Sequence, residues 1–282
     1  MTQRHDYWFR EIRCGETYRR RLGALIKSGG AGSVFYIDDR PGEVVKLYHP
    51  RIDTGAYARK IRAMLALSPH LPAPASGSGT VVQLAWPQAE AVDEGGRFIG
   101  FVMPEVDTGA TLELEYMLQA RQARAMNLPV GLGARVTLAA NLSTLIAALH
   151  AQDHFVVDLK PLNLRFYRDS LHVAMLDCDG FSIQGEEERF DAGQFTADYL
   201  APEFHRSGQV TPGCEAHQDR FALAVILFQL LNSGIHPYSG RPLTNGYRLI
   251  LHVVSARITT LMDSRQAARS RRIRSAAMNR CR

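Results

Sequence analysis

Cysteine is scarce: the 282 residues hold four, Cys14, Cys178, Cys214 and Cys281, and none falls in a CxxC or Cys/His pair. That spacing indicates neither a zinc-ligand set nor a disulfide framework, and it fits a reducing cytosol. Long apolar runs are missing too. The longest, FALAVILFQLL at Phe221–Leu231, falls short of the roughly 20 residues that cross a bilayer and lacks the flanks of a signal peptide. A soluble, non-exported, cytoplasmic protein with no membrane partner is expected. No internal repeat of roughly 20–50 residues is visible. What is present is an ordinary globular balance, 46% apolar and 22% charged, which excludes disordered, collagen-like and disulfide-miniprotein classes and allows one or two domains.

Acidic residues are nearly absent from the C-terminal end. Residues 241–282 carry ten Arg and one Asp, so the formal +5 divides into +9 there and −4 over residues 1–240. A run such as RSRRIRS can touch phosphates, but no aromatic residue interleaves with the arginines after Tyr247. A solvated tail is therefore favoured over a base-stacking nucleic-acid surface.

From Arg21 to Tyr48 the β-like runs LGALI, SVFYI and EVVKLY are broken by a Gly-rich turn and by DDRPGE, which reads as an antiparallel series. A helix is expected at about 55–67, where Tyr57, Ala58, Ile61, Met64 and Leu65 share a face. VVQLAWP and GRFIGFVMPEV read as two further strands, the second ending at Pro104. Beyond about residue 107 the period becomes helical: Leu138, Leu142, Leu145, Ile146 and Leu149 line one side of a helix ending near His150. LNLRFY and LHVAML flank RDS as a small hairpin, and a polar loop leads to an apolar helix around 219–231.

Gly29, Gly30 and Gly32 allow a backbone close enough to cradle phosphate oxygens. Because Val34–Ile37 continues as a strand and not a helix, a Rossmann fingerprint is disfavoured; taken alone, the glycines mark a hairpin turn. They are followed in order by Val44-Val45-Lys46 on the next strand, DLKPLN from Asp158 to Asn163, Asp177 after a β-like run, YLAPE from Tyr199 to Glu203, and Asp219 opening an apolar helix. Each motif is weak singly, and their order and spacing carry the signal.

Together these motifs resemble a protein kinase over roughly residues 20–240. The resemblance implies ATP and Mg²⁺ as cofactors. It makes Lys46 the strand lysine that anchors nucleotide phosphates, with Gly29, Gly30 and Gly32 as the phosphate turn and Val34 and Val44 as the roof over adenine. Met103 matches the gatekeeper, and Glu105 and Val106 the hinge. Asp158 matches the catalytic base, Lys160 the cation beside the γ-phosphate, and Asn163 and Asp177 the metal ligands. DLKP and Thr196 in FTADYLAPE are Ser/Thr-type features, so the implied substrate is a protein hydroxyl. WP at 86–87, GFVMP and DRFALAVILFQLLNSGIHPYSGR are similar to bacterial kinase-like proteins of tellurite-resistance-type and phosphatase-associated gene clusters. That likeness implies a protein phosphatase and a metal-dependent adhesion-type domain as partners.

The pattern departs in places. Lys27 replaces the first loop glycine. Val156-Val157 replaces His-Arg, which leaves no arginine to pair with a phosphorylated loop and implies activation without loop phosphorylation. His150 and His154 read as structural histidines. The helix acid that should hold Lys46 is missing, its place matching Ala58, so Lys46 is expected to be less well held. The Asp-Phe-Gly triplet is Asp177-Cys178-Asp179, and Arg165 stands where an apolar floor is expected. The helices that complete the second lobe, with the arginine that would pair with Glu203, are replaced by the Arg-rich tail.

The expected fold is α+β and two-lobed, protein-kinase-like: an N-lobe of antiparallel sheet plus one helix, and a mainly helical, truncated C-lobe. The expected boundaries are an extension at 1–19, the N-lobe at 20–106, the C-lobe at 107–240 and the tail at 241–282. A Ser/Thr protein-kinase-like phosphotransferase is the leading reading and a pseudokinase scaffold the alternative, supported by the missing acid, the altered triplet and the lost helices.

Overall fold

The computed structural model describes residues 11–14, 18–73 and 81–239; the 241–282 tail, and the expectation of replaced lobe helices with it, lies outside the described residues. Apolar and polar residues alternate between turns in the first third, and this part forms sheet. Strands β1 (Glu11–Cys14), β2 (Tyr18–Ser28), β3 (Gly32–Ile37), β4 (Glu43–Tyr48), β5 (Ala89–Val92) and β6 (Phe98–Pro104) close a barrel in the order β1-β2-β3-β4-β6-β5. All its pairings are antiparallel. Strand β1 lies within the stretch expected as an extension and pairs with both β2 and β5, so that stretch contributes to the sheet.

The two-residue period sorts β3, β4 and β6 into two faces. Phe35, Ile37, Val45, Leu47, Ala91 and Val102 fill the barrel interior. Val44, Tyr48, Phe101 and Met103 belong to the larger core that joins the barrel to the rest of the chain. Register places Val34 opposite Lys46, and Val44 opposite Met103. Gly100 permits the close approach of β6 to β4: a Cβ there would meet Lys46 O at 2.0 Å.

Helix α1 (Gly55–Ala66) follows β4 and buries Ala58, Lys60, Ile61 and Met64. The indole of Trp86 donates to Met64 O at 2.9 Å and fixes the helix end. The expected VVQLAWP strand is not one. Leu84, Ala85 and Trp86 are buried, but their segment makes only an isolated parallel bridge, Leu84 to Met175, with Ala85 N donating to Met175 O at 2.9 Å. These residues spend their hydrogen bonds on the second lobe, and Pro87 has no donor with which to extend the ladder.

The second lobe holds β7 (Thr111–Glu113), α2 (Glu115–Leu118), α3 (Ala120–Ala125) and α4 (Leu132–His150). It continues with the hairpin β8 (Leu164–Tyr167) and β9 (Val173–Met175), the small hairpin β10 (Ile183–Gln184) and β11 (Arg189–Phe190), and α5 (Glu215–Leu231). The expected 164–175 hairpin gains β7 as a third strand in the order β7-β8-β9. Helix α4 buries all five residues of its expected apolar face and packs on α5, with Arg135 Nη1 donating to Leu230 O at 2.5 Å. Among the described residues α4 is the one helix long and apolar enough to cross a membrane. The architecture is α+β and two-lobed in the manner of a protein kinase, with an antiparallel N-terminal sheet and a cleft of about 590 Å³ between the lobes.

Candidate active site

One buried carboxylate builds the loop after α4. Asp219, fully buried on α5, accepts from Val156 N at 2.8 Å, from Val157 N at 2.6 Å and from His150 Nε2 at 2.8 Å. These bonds hold Val157 at φ +62°, a left-handed conformation that costs a β-branched residue on the order of 1–3 kcal/mol. Gln218 Nε2 adds a bond to Val157 O at 3.2 Å. The altered Val156-Val157 pair therefore keeps its backbone anchored, and His150 is part of the anchor. His154 is buried, its ring 5.7 Å from that of Trp86, and burial together with the nearby Arg189 lowers its pKa.

The anchored turn delivers Asp158, with its backbone N bonded to Val156 O at 2.8 Å, into a closed network. Lys160 Nζ donates to Asp158 Oδ2 at 2.7 Å and to Thr196 Oγ1 at 2.9 Å, while Thr196 Oγ1 donates to Asp158 Oδ1 at 2.7 Å. Asp158 and Lys160 line the cleft, and Thr196 closes the network from behind. Asn163 lies on a single 3-10 turn, Pro161–Asn163, and donates its amide N–H to Asp158 O at 3.3 Å, which leaves its side-chain carbonyl oxygen as a ligand. Leu176 N donates to Asn163 O at 2.9 Å and ties that turn to Asp177, which sits in the left-handed region at φ +53° with its side chain 58% exposed.

The opposite wall comes from the barrel. Gly29, Gly30 and Gly32 line the cleft as a turn in which Gly29 N donates to Gly32 O at 2.8 Å; His49 Nε2 at 2.9 Å from Gly29 O and Arg51 Nη2 donating to Gly30 O at 2.9 Å hold it from outside. A Cβ on Gly32 would meet Leu47 O at 2.4 Å, whereas Gly30 faces open space. Lys27, in place of a first glycine, also lines the cleft. Val34, Val44 and Met103 form its apolar side. Of the two expected hinge residues, Glu105 spends its N–H on Gly42 O at 2.8 Å, while the Val106 N–H makes no hydrogen bond among the described residues.

Lys46 is not poorly held. Its Nζ lies 2.8 and 2.9 Å from the two carboxylate oxygens of Asp179 and 3.3 Å from Asp177 Oδ1. Burial alone would lower its pKa, but the charges of Asp179 and then Asp177 outweigh burial and leave it above the ordinary value. Tyr48 donates its hydroxyl to Asp179 Oδ2 at 3.0 Å; burial and then Asp179 push its pKa up. Asp179 is buried, at 3% exposure, between these partners. Helix α1 lines the cleft with Ala56, Tyr57 and Lys60, and Ala58 is not among the lining residues. Lys60 is 7% exposed and donates to Asp191 O at 3.1 Å, and burial holds its pKa down at about 8.

Three further departures find partners. Arg165 uses its guanidinium on Thr111 Oγ1 at 2.7 Å and Thr111 O at 2.9 Å, stitching β8 to β7 at the cleft edge. Glu203 pairs with His217 of α5. Cys178 packs at 1% exposure with Sγ 3.6 Å from Met175 O, and burial raises its thiol pKa well above the ordinary value. Sequence reading missed Lys60, Tyr48 and the anchoring role of Asp179. The signal for Lys60 was the face itself, since Tyr57 and Met64 flank position 60 at three- and four-residue spacing.

No family model matches the chain. The chain is 28% identical over 226 residues to "Protein kinase YegI" of Escherichia coli strain K12, covering 79% of this chain and 33% of that protein. It is likewise 28% identical over 225 residues to "Protein kinase YegI" of Escherichia coli O157:H7, covering 78% of this chain and 33% of that protein. The chain thus spans about a third of the length of the curated relatives it matches. With a two-lobed fold and an interlobe cleft already evident, this distant similarity supports a protein-kinase-like family for the chain.

Proposed function

We propose that the chain is a Ser/Thr protein-kinase-like phosphotransferase that moves the γ-phosphoryl group of ATP to a protein hydroxyl with Mg²⁺. The observation that carries this reading is the closed Asp158–Lys160–Thr196 network, facing a turn of glycines and a buried lysine across one cleft. In this reading Asp158 accepts the proton of the substrate hydroxyl as the new O–P bond forms and the γ-phosphorus leaves its bridging oxygen. Lys160 offsets the charge that develops on the transferring group, and Thr196 keeps both side chains aimed.

The cleft suits a nucleotide. Its volume of about 590 Å³ lies within the range of about 300–1,000 Å³ common for small-ligand sites, with Val34, Val44 and Met103 against the base and the Val106 N–H to orient it. The donor set suits Mg²⁺. Asn163 and Asp177 offer hard oxygens on two segments tied together by the Leu176 N–Asn163 O bond. This matches a cation held by one or two side chains plus phosphates, where it would neutralise charge on the β- and γ-oxygens. The setting carried over from the subgroup resemblance, a cytoplasmic regulator with a protein phosphatase and a metal-dependent adhesion-type partner, belongs to the same proposal.

A scaffold reading has its own observation: Lys46 is already engaged by two carboxylates, and Phe190, Asp191, Gly193 and Gln194 line the same cleft. Calorimetric titration of ATP with and without Mg²⁺, beside transfer of labelled phosphate to a mixture of Ser/Thr-containing proteins, separates the two. Mg²⁺-dependent binding, with transfer that Asp158→Asn abolishes, supports the enzyme. A folded protein that binds no nucleotide under either condition supports the scaffold.

A further inference from the structure

Helix α1 contributes no acid to the cleft: its first turn has none, and the residues it lines the cleft with are Ala56, Tyr57 and Lys60, of which Lys60 carries the charge. A lysine on the roof of a phosphate site needs a partner that aims its ammonium, because a flexible four-carbon stem otherwise samples many positions. Asp179 meets that need. Both its carboxylate oxygens lie within 2.9 Å of Lys46 Nζ, and Tyr48, two residues along β4 on the same face, bonds one of them at 3.0 Å. One strand thus supplies the cation and the hydroxyl that bracket Asp179. Lys60 lines the same cleft as Lys46 and Asp179, and the Asp179 charge acts on it, so one acid serves two lysines.

We infer that Asp179 is the positioning residue for Lys46, taking over the work that a helix acid would do, with Lys60 as its counter-residue on α1. The inference rests on the phosphotransferase reading, since the nucleotide phosphates are what Lys46 is positioned for. Its consequence is that the acid rides on the segment that begins at the metal-ligand candidate Asp177, two residues earlier. Any movement of that segment displaces Lys46 and the metal site together. Helix α1 makes no direct bond to Lys46, so its movement acts on Lys60, bonded to Asp191 O, and on Tyr57, packed against Tyr48, while the Asp179–Lys46 bonds stay on the strand and the triplet.

The test exchanges charges. Asp179→Gly is expected to lower kcat on the order of 100-fold, the usual cost of misplacing a group by about 1 Å, with a smaller change in KM for ATP. Lys60→Glu in the Asp179→Gly background places the acid on the helix and is expected to recover at least about tenfold of kcat, a rescue that neither single variant shows. A urea-denaturation cycle of Lys46→Met, Asp179→Asn and the double variant reads the pair without any assay of activity, with an expected coupling of about tenfold in the unfolding constant. Asp179→Gly at wild-type kcat, a double variant without rescue, or additive denaturation effects overturn the inference alone. Absence of Mg-ATP binding by the wild-type chain overturns the functional reading and the positioning role together, while coupling in the cycle then marks the pair as structural.

Discussion

Asp219→Ala removes the acceptor for three donors at once, and its cost follows from their burial. Val156 N and Val157 N are left buried and unpaired; each loses a bond to a charged acceptor worth about 1.5–3 kcal/mol, so the pair accounts for roughly 3–6 kcal/mol. Untethered, Val157 relaxes from φ +62° and returns about 1–3 kcal/mol of backbone strain. Taken at the midpoints, the net loss is about 2.5 kcal/mol, a large part of the roughly 5–15 kcal/mol that holds a domain together. At this size each kcal/mol lowers Tm by about 2–4 °C, so thermal melts followed by circular dichroism should show a fall of about 5–10 °C. Asp219→Asn keeps one acceptor and falls between Asp219→Ala and wild type. His150→Ala costs less than either, because its partner keeps both backbone donors. An Asp219→Ala melt within about 2 °C of wild type, or a His150→Ala effect as large as that of Asp219→Ala, would refute the account of Asp219 as the anchor.

Glycine substitutions separate strand packing from the phosphate turn. Gly100→Ala drives a Cβ to 2.0 Å from Lys46 O and should sharply lower Tm, while Gly30→Ala meets nothing within 4 Å and should leave the melt unchanged. Equal melts for the two variants would contradict the β4–β6 approach. Lys60 gives a pH signature. Its folded pKa is held down at about 8 against an ordinary 10.5, so between these values the unfolded chain binds a proton that the folded chain has released. Wild type should therefore gain stability relative to Lys60→Met as pH rises from about 8 towards 10.5, with no change in the difference below 8; urea midpoints across that range check the sign, and a flat or falling difference rejects it. Trp86→Phe removes the 2.9 Å bond to Met64 O while keeping most of the apolar contact, and it should cost about 1 kcal/mol by denaturant titration. A loss several times larger would mean that ring packing, not the bond, holds the end of α1.

What the sequence made legible was what is local. Alternation along SVFYI and EVVKLY set β3 and β4, the leucine spacing from Leu138 to Leu149 set the buried face of α4, and RDS between two β-like runs set the β8–β9 hairpin. The ordered motifs likewise named residues that the fold gathers around one cleft, because each motif is short and carries its own backbone chemistry. What stayed hidden depends on partners distant in the chain. Trp86 and its neighbours read as strand by composition, yet their backbone bonds go to Met175, and no local pattern records that choice. Asp179 stands 133 positions from the lysine it holds, inside a triplet whose local sequence carries no sign of that partner. The missing helix acid was sought at position 58, and the charged residue that lines the cleft is Lys60. Ala58 is buried in the core while Ala56, Tyr57 and Lys60 line the cleft, so a shift of one or two positions exchanges one buried face of α1 for another. That error also inverted the electrostatics: an absent acid on α1 suggested a loose Lys46, whereas a lysine on α1 calls for an acid from elsewhere, and the triplet supplies it. The charge of a helix face is therefore informative even where a motif fails, because a buried cation of one sign dictates which other element brings the opposite one.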